Sequence, residues 1–152
     1  MKLAGWRYAR WGMSADELVA ASAGVARKLE AAEHDEKSGA GFTTLAVAEL
    51  ASGPFEFDVS FRAVDAGTGL THVRLELRHP GQYEALRAAL ADEYGAGEPL
   101  PADGDPAIEG VRWRTAGTVL ALKRLVWPMD LGVDVVVDCE PSDPMVEPAP
   151  RR

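Results

Sequence analysis

Residues 55–62 read Phe-Glu-Phe-Asp-Val-Ser-Phe-Arg, and this alternation of apolar with polar residues decides the fold. A period of two is typical of a β-strand that buries one face and exposes the other to water. Residues 70–78 and 111–115 alternate in the same way. Because short turns join these segments, the sequence predicts antiparallel pairing, with one apolar face and one ionic face.

Two amphipathic segments are predicted to cover the apolar face. The first begins at a capping box formed by Ser14 and Glu17, and it is expected to run to residues 30–33. Its apolar stripe is made of Leu18, Ala21, Val25 and Leu29. The second helix is expected to begin near Pro80 and to end near Gly95.

The whole chain reads α-β-β-β-α-β-β-β, which predicts an α+β fold. We expect two αβββ units, residues 14–78 and 80–139, that form a mainly antiparallel sheet with two helices packed on one face. Residues 1–140 are expected to be a single domain. Residues 97–110 are rich in Pro, Gly and Asp, and we expect a mobile loop there. The proline-rich residues 141–152 are expected to be a flexible tail.

Composition and charge exclude several classes of protein. The 152 residues are 47% hydrophobic and 26% charged, which is ordinary for one soluble domain. The net charge of −8 argues against a nucleic acid as partner. No stretch approaches the ~20 apolar residues of a membrane span. The only cysteine, Cys139, follows three valines and is expected to be a packed thiol.

The N-terminal residues bear on location. The chain begins with five residues, Met-Lys-Leu-Ala-Gly, that Trp6 and Arg7 follow at once. This stretch is too short and too charged for the apolar core of a signal peptide. We therefore expect a cytoplasmic protein, or a periplasmic one if an export signal has been removed.

Motifs that carry chemistry are missing from the sequence. His34 lies in a charged loop without a second metal ligand pair. His72 and Glu76 share a strand face but lie ~13 Å apart, and Glu56 with Asp58 does not by itself make a glycosidase pair. Neither a nucleophile elbow nor a phosphate-binding loop occurs. The sequence thus predicts a protein that is not an enzyme and binds no metal or cofactor.

Two surfaces could carry a function. The ionic face offers arginines, whose planar guanidinium groups make bidentate contacts with a protein partner. The N-terminal segment interleaves aromatic residues with arginines, as binding hot spots do. The candidate partner-binding residues are Arg62, Arg74, Arg112, Arg114, Trp6 and Trp11. The alternative is structural: charged residues line any half-exposed sheet, and the N-terminal segment packs on the domain.

We expect a non-enzymatic protein-binding domain, an adaptor or an inhibitor, that uses the exposed sheet face. One alternative is an acidic cytoplasmic immunity protein that neutralises a basic toxin through acidic loops at residues 30–36 and 98–105. Another is a small-ligand binder or hydrolase with an unrecognised site. The identity of the partner and the oligomeric state are left open.

Residues 11–18, Trp-Gly-Met-Ser-Ala-Asp-Glu-Leu, carry a resemblance. This helix start resembles that of small uncharacterised bacterial proteins, often exported. It is more distantly similar to the small lipoprotein of the outer-membrane assembly machine and to β-lactamase-inhibitor-like α/β repeats. Residues 83–95, with the Trp113 strand after them, resemble the second half of such proteins. The resemblance implies a role in holding other proteins and implies no catalytic residue.

Overall fold

A computed structural model describes residues 10–28, 43–64, 69–100, 107–115 and 117–141. These residues contain an eight-stranded antiparallel sheet and two α-helices, which confirms the α+β class. The elements are α1 (Ala15–Ala21), β1 (Arg27–Lys28), β2 (Thr43–Ser52), β3 (Phe55–Ala63), β4 (His72–Leu77), a 3₁₀ turn (Pro80–Gln82), α2 (Tyr83–Tyr94), β5 (Glu98–Pro99), β6 (Ala107–Arg114), β7 (Thr118–Val126) and β8 (Val133–Pro141). Neither helix is both long and apolar enough to span a membrane.

The strands lie in the order β1-β2-β3-β4-β8-β7-β6-β5. β4 and β8 meet at the centre of the sheet, where Val73 pairs with Cys139 and Leu75 with Val137. This pairing joins segments that are about 60 residues apart, so the two halves of the chain share one sheet. The two-residue strands β1 and β5, which the sequence did not predict, form the outer edges.

The faces of β3 follow the predicted alternation. Phe57, Val59 and Phe61 are at most 1% exposed, whereas Glu56 and Asp58 are exposed. The buried residues of α1 and α2 belong to the same hydrophobic cluster as the buried residues of β3, β4, β8, β7 and β6. Both helices therefore pack on this side of the sheet, here called the inner face.

The first helix is shorter than predicted. Its capping box forms, since Ser14 Oγ accepts from the Glu17 amide at 3.2 Å and Glu17 Oε1 accepts from the Ser14 amide at 2.8 Å. However, α1 ends at Ala21, because Ala23 takes a φ of 56° and breaks the helix. Ala21 is exposed and Val25 is 54% exposed, so neither is buried in the predicted apolar stripe, and the prediction that the helix continues is wrong for residues 22–28. Leu29 lies outside the described residues.

The loop predicted at residues 97–110 is wrong at both ends. Glu98–Pro99 pair with β6, and residues 107–110 are part of β6 itself. Trp113 Nε1 donates to the carbonyl of Gly95 at 2.6 Å and ties the end of α2 to this strand. Residues 101–106 lie outside the described residues. At the other terminus, Pro141 is the last residue of β8, and the remainder of the predicted tail is not described.

Candidate functional site

The side of the sheet opposite the helices carries most of the strand charges and is here called the ionic face. Strand register places one residue from each of five adjacent strands, β3, β4, β8, β7 and β6, in a cross-strand row on this face. That row is Ser60, Arg74, Asp138, Ala121 and Arg112. Arg74 and Arg112 are three strands apart in it, about 14 Å at the usual strand spacing.

Asp138 is the electrostatic centre of the ionic face. Its side chain is only 5% exposed, although it carries a carboxylate. Arg74 donates from Nε to Oδ1 at 2.8 Å and from Nη2 to Oδ2 at 2.9 Å, which is the bidentate geometry of a strong pair. Lys123 Nζ donates to Oδ2 at 2.9 Å from the neighbouring strand β7. These bonds hold β4, β8 and β7 in register and fix the orientation of Arg74.

A histidine completes this cluster. His72 Nε2 lies 3.6 Å from Asp138 Oδ1, and its Nδ1 lies 3.8 Å from Glu140 Oε1. Burial alone would raise the pKa of Asp138, but the contacts with His72 and Arg74 and the charges of Arg74 and Lys123 hold this pKa well below its usual range. Asp138 is therefore ionised near neutral pH and acts as a fixed anion rather than as a proton donor.

Arg62 is placed differently from Arg74. It is half-buried beside the cluster, and its buried Nε has no hydrogen-bond acceptor. Burial first, and then the charge of Arg74, lower the pKa of Arg62. Glu76 is exposed near both arginines and raises their pKa values. Within the part of the chain that the structure describes, no ion pair involves Arg62 or Glu76.

Two depressions lie next to one another on this face. The smaller has a volume of about 230 Å³ and brings Arg62, Arg74 and Trp127 together. The larger has a volume of about 480 Å³ and lies toward the edge formed by β1 and β2. Ser60 and Glu76 line both depressions, so the two adjoin each other.

The other predicted partner-binding residues lie apart from these depressions. Arg112 and Arg114 approach Glu98 of the edge strand β5 at 3.3 Å and 3.9 Å. Trp11 packs against the hydrophobic core and donates from Nε1 to the carbonyl of Gly117 at 3.3 Å. Trp6 lies outside the described residues. The structure thus brings together Arg62 and Arg74 and separately pairs Arg112 and Arg114 with one carboxylate.

The carboxylates of β3 lie close to basic side chains. Glu56 Oε1 lies 3.6 Å from His79 Nε2, and Asp58 Oδ1 lies 2.8 Å from Arg78 Nη2. Arg78 also reaches Glu49 Oε2 at 3.0 Å. Within residues 10–28, 43–64, 69–100, 107–115 and 117–141, no group of three or more His, Cys, Asp and Glu side chains is arranged to hold a metal ion. His34 and the acidic loop at residues 30–36 lie outside the described residues.

Sequence reasoning missed Asp138 and Lys123. The signal was present, because Asp138 follows three consecutive valines in a strand that is buried on both faces. A carboxylate in such a strand requires a cation on a neighbouring strand.

Sequence reasoning also missed residues 126–131, here called the hairpin tip, at the turn between β7 and β8. There Trp127, Met129 and Leu131 are 38%, 90% and 74% exposed.

Comparison of the chain with protein-family models, with curated proteins and with solved structures found no match. The resemblance carried by residues 11–18 and 83–95 therefore stays a prediction.

Proposed function

We propose that this chain is a non-enzymatic protein-binding domain, an adaptor or an inhibitor, whose contact surface is the ionic face. The observation that carries the proposal is the guanidinium group of Arg62 in the smaller depression, whose buried Nε has no hydrogen-bond acceptor. Asp138 and Glu76 lie near enough to raise the pKa of Arg62, but neither carboxylate forms an ion pair with it, and a half-buried guanidinium with an unsatisfied Nε is costly in the free protein. A partner carboxylate at this position would supply the missing ion pair.

Rigidity around Arg62 supports the same proposal. Arg74 is held by two hydrogen bonds to Asp138, and Lys123 by a third. Groups that are already ordered in the free protein lose little conformational entropy when a partner binds. The floor of the depression is therefore a pre-formed platform, on which Arg62 and Glu76 are close enough to interact electrostatically but form no ion pair.

The architecture behind this platform is interpreted as two αβββ units, residues 14–78 and 80–139, in a single domain of residues 1–140. In this interpretation each unit contributes three long strands, and the units join where β4 pairs with β8. The resemblance to small bacterial proteins that hold other proteins agrees with the proposal. The proposal is independent of location, cytoplasmic or periplasmic.

The test is a binding experiment with a charge reversal and a matched control. The whole chain is immobilised as wild type, as Arg62→Glu and as Arg87→Glu, and each is incubated with a lysate of the source organism. Arg87 is an exposed arginine of α2, so its reversal changes the net charge equally without touching the ionic face. We expect a protein that the wild type and Arg87→Glu retain and that Arg62→Glu loses.

Direct affinity measurements with that purified protein then quantify the effect. We expect Arg62→Glu to weaken binding at least tenfold, since reversal of a buried interfacial charge costs several kcal/mol. The double variant Arg112→Glu and Arg114→Glu tests whether the contact extends to the β5–β6 edge. Equal retention by all variants, or retention of no protein by the wild type, would refute the proposal.

The same measurements distinguish this proposal from the immunity-protein alternative. A basic toxin bound through the acidic loops would be insensitive to Arg62→Glu, and rising salt would weaken its binding sharply. Glu98, one carboxylate of those loops, is already paired with Arg112 and Arg114.

A further inference from the structure

The hairpin tip presents an unusual amount of apolar surface to solvent. Of the six exposed large hydrophobic residues in the described chain, four lie within residues 126–131. Met129 is 90% exposed and Leu131 is 74% exposed. Contiguous exposed apolar side chains of this kind mark sites of interaction with other molecules.

The backbone of the tip is strained in a way that displays these side chains. Leu131 N donates to the carbonyl of Pro128 at 3.2 Å, which closes a four-residue turn. Met129 and Asp130, its two central residues, have φ values of 58° and 56°. This is a type I′ turn, which ordinarily takes Asn-Gly because a bulky side chain is disfavoured at positive φ. Strained residues of this kind concentrate at functional sites.

The tryptophan at the base of the tip is fixed in place. Trp127 Nε1 donates to Asp134 Oδ2 at 2.8 Å, and the ring is 38% exposed. Trp127 also lines the smaller depression together with Arg62 and Arg74. The apolar tip is therefore continuous with the ionic platform, and both can contact one partner.

We propose that the hairpin tip is the apolar anchor of the partner complex and enters an apolar recess of a folded protein whose rim is basic. The proposal rests on the function proposed above and adds the chemistry of the partner. Asp130 is exposed at the tip, no lysine or arginine occurs in residues 125–132, and the chain carries a net charge of −8. A recess rimmed by lysine or arginine side chains complements this arrangement.

Other occupants fit less well. An anionic membrane surface attracts apolar segments flanked by unpaired basic residues. The tip carries Asp130, and the nearest basic residue in the sequence, Arg124, is paired with Glu109 at 3.4 Å. A second copy of the chain has the same negative charge. The lining of both depressions on the ionic face mixes apolar with charged side chains, among them Arg62 and Arg74 in the smaller and Glu49 and Asp58 in the larger, so neither is a purely apolar recess for the tip of a second copy.

Photo-crosslinking identifies the occupant. The whole chain is used as the probe, with a photoreactive phenylalanine analogue replacing Leu131, or replacing the exposed Glu84 of α2 as a control. We expect position 131 alone to crosslink a protein of the source organism, at a peptide that lines an apolar recess with lysine or arginine at its rim. Crosslinking to a polar flat surface, or equally from both positions, would overturn the inference.

Affinity measurements with the crosslinked protein test the side chains. Met129→Gly keeps the turn and relieves its strain, so we expect an unchanged or higher Tm together with at least tenfold weaker binding. Asp130→Asn, which tolerates positive φ, should reduce the salt dependence of binding. Val64→Ser removes a different exposed apolar side chain, and it should change neither the affinity nor the salt dependence of binding. Wild-type affinity of Met129→Gly would overturn the inference.

The two proposals fail separately. If Arg62→Glu abolishes binding and Met129→Gly does not, the ionic face is the contact and the anchor is wrong. If neither variant affects binding, both proposals are wrong.

Co-sedimentation of the wild type, but not of Met129→Gly, with vesicles of phosphatidylethanolamine and phosphatidylglycerol would assign the tip to a membrane. A dimer in sedimentation that Met129→Gly dissociates would assign it to a second copy. Either result overturns the inference.

Discussion

Asp138 shows how one buried charge can organise a surface. Its carboxylate accepts two hydrogen bonds from Arg74 and one from Lys123, on two different strands. Removal of its charge by Asp138→Asn would leave two cations facing each other. We expect the free energy of unfolding at pH 7 to fall by about 3 kcal/mol. This value is at the lower end of the range for a buried ion pair, because the side chains of Arg74 and Lys123 are 32% and 29% exposed. Urea denaturation measures the loss, and a loss below about 0.5 kcal/mol would contradict this role.

The lowered pKa of Asp138 makes its contribution to stability depend on pH. The unfolded chain has the ordinary pKa of about 3.9, whereas the folded pKa lies well below that value. The contribution is therefore fully present above about pH 4 and is lost as pH falls toward the folded pKa. We expect the unfolding free energy of the wild type to fall more steeply below pH 4 than that of Asp138→Asn. Parallel curves from denaturation at several pH values would contradict this expectation.

Cys139, the neighbour of Asp138, points to the inner face and is 4% exposed. Burial first, and then the charges of Asp138 and Glu140, raise the pKa of this thiol to about 12. Since only the thiolate is nucleophilic, we expect no reaction with a thiol reagent at pH 8 in the native protein and one reactive thiol after denaturation. Cys139→Ala gives the background rate. Rapid labelling of the native wild type would show that β8 opens or is exposed.

At the scale of the elements, Gly110 shows how closely β6 and β7 approach each other. A Cβ atom built at Gly110 would collide with the carbonyl oxygen of Leu122, whereas one at Gly81 meets nothing within 4 Å. We expect Gly110→Ala to destabilise the fold by about 1–3 kcal/mol, as overpacking does. Gly81→Ala, the control, should change stability by less than about 0.5 kcal/mol. Thermal denaturation of both variants measures the difference, and equal melting temperatures would contradict the close approach.

The same glycine illustrates what the sequence predicts about elements and what it does not. Alternation in residues 55–62 was enough to predict β3 and its buried face, because side chains in a strand change face at every residue. Gly110 suggested a loop, because glycine is common in turns. Its actual role is to allow a close contact with Leu122, and local sequence does not reveal that contact because Leu122 lies on a different strand. The sequence also does not predict that α1 ends at Ala21. The helical spacing of apolar residues continues to Val25, although Ala23 takes a left-handed conformation that ends the helix.

The candidate site was only partly predictable. Alternation places Arg62 and Arg74 on the ionic face, but it does not say which carboxylate each one reaches. That choice depends on β4 lying beside β8, a contact between residues about 60 positions apart. Arg74 therefore meets Asp138, and Arg62 is left without an ion pair. Local patterns identify the face, and only the tertiary pairing identifies the unmatched charge.

At the scale of the whole molecule, one hydrophobic cluster links the two halves of the chain. Phe57 of β3 and Leu86 of α2 are both fully buried in it. We expect Phe57→Ala to cost about 3–5 kcal/mol and Leu86→Ala about 2–5 kcal/mol. Because the cluster is shared, each variant should shift one cooperative transition as a whole. Far-UV circular dichroism and tryptophan fluorescence, which includes the buried Trp113, should then give the same midpoint. If Phe57→Ala instead separated the two signals into two transitions, the halves would fold independently, and the expectation of a single domain would fail.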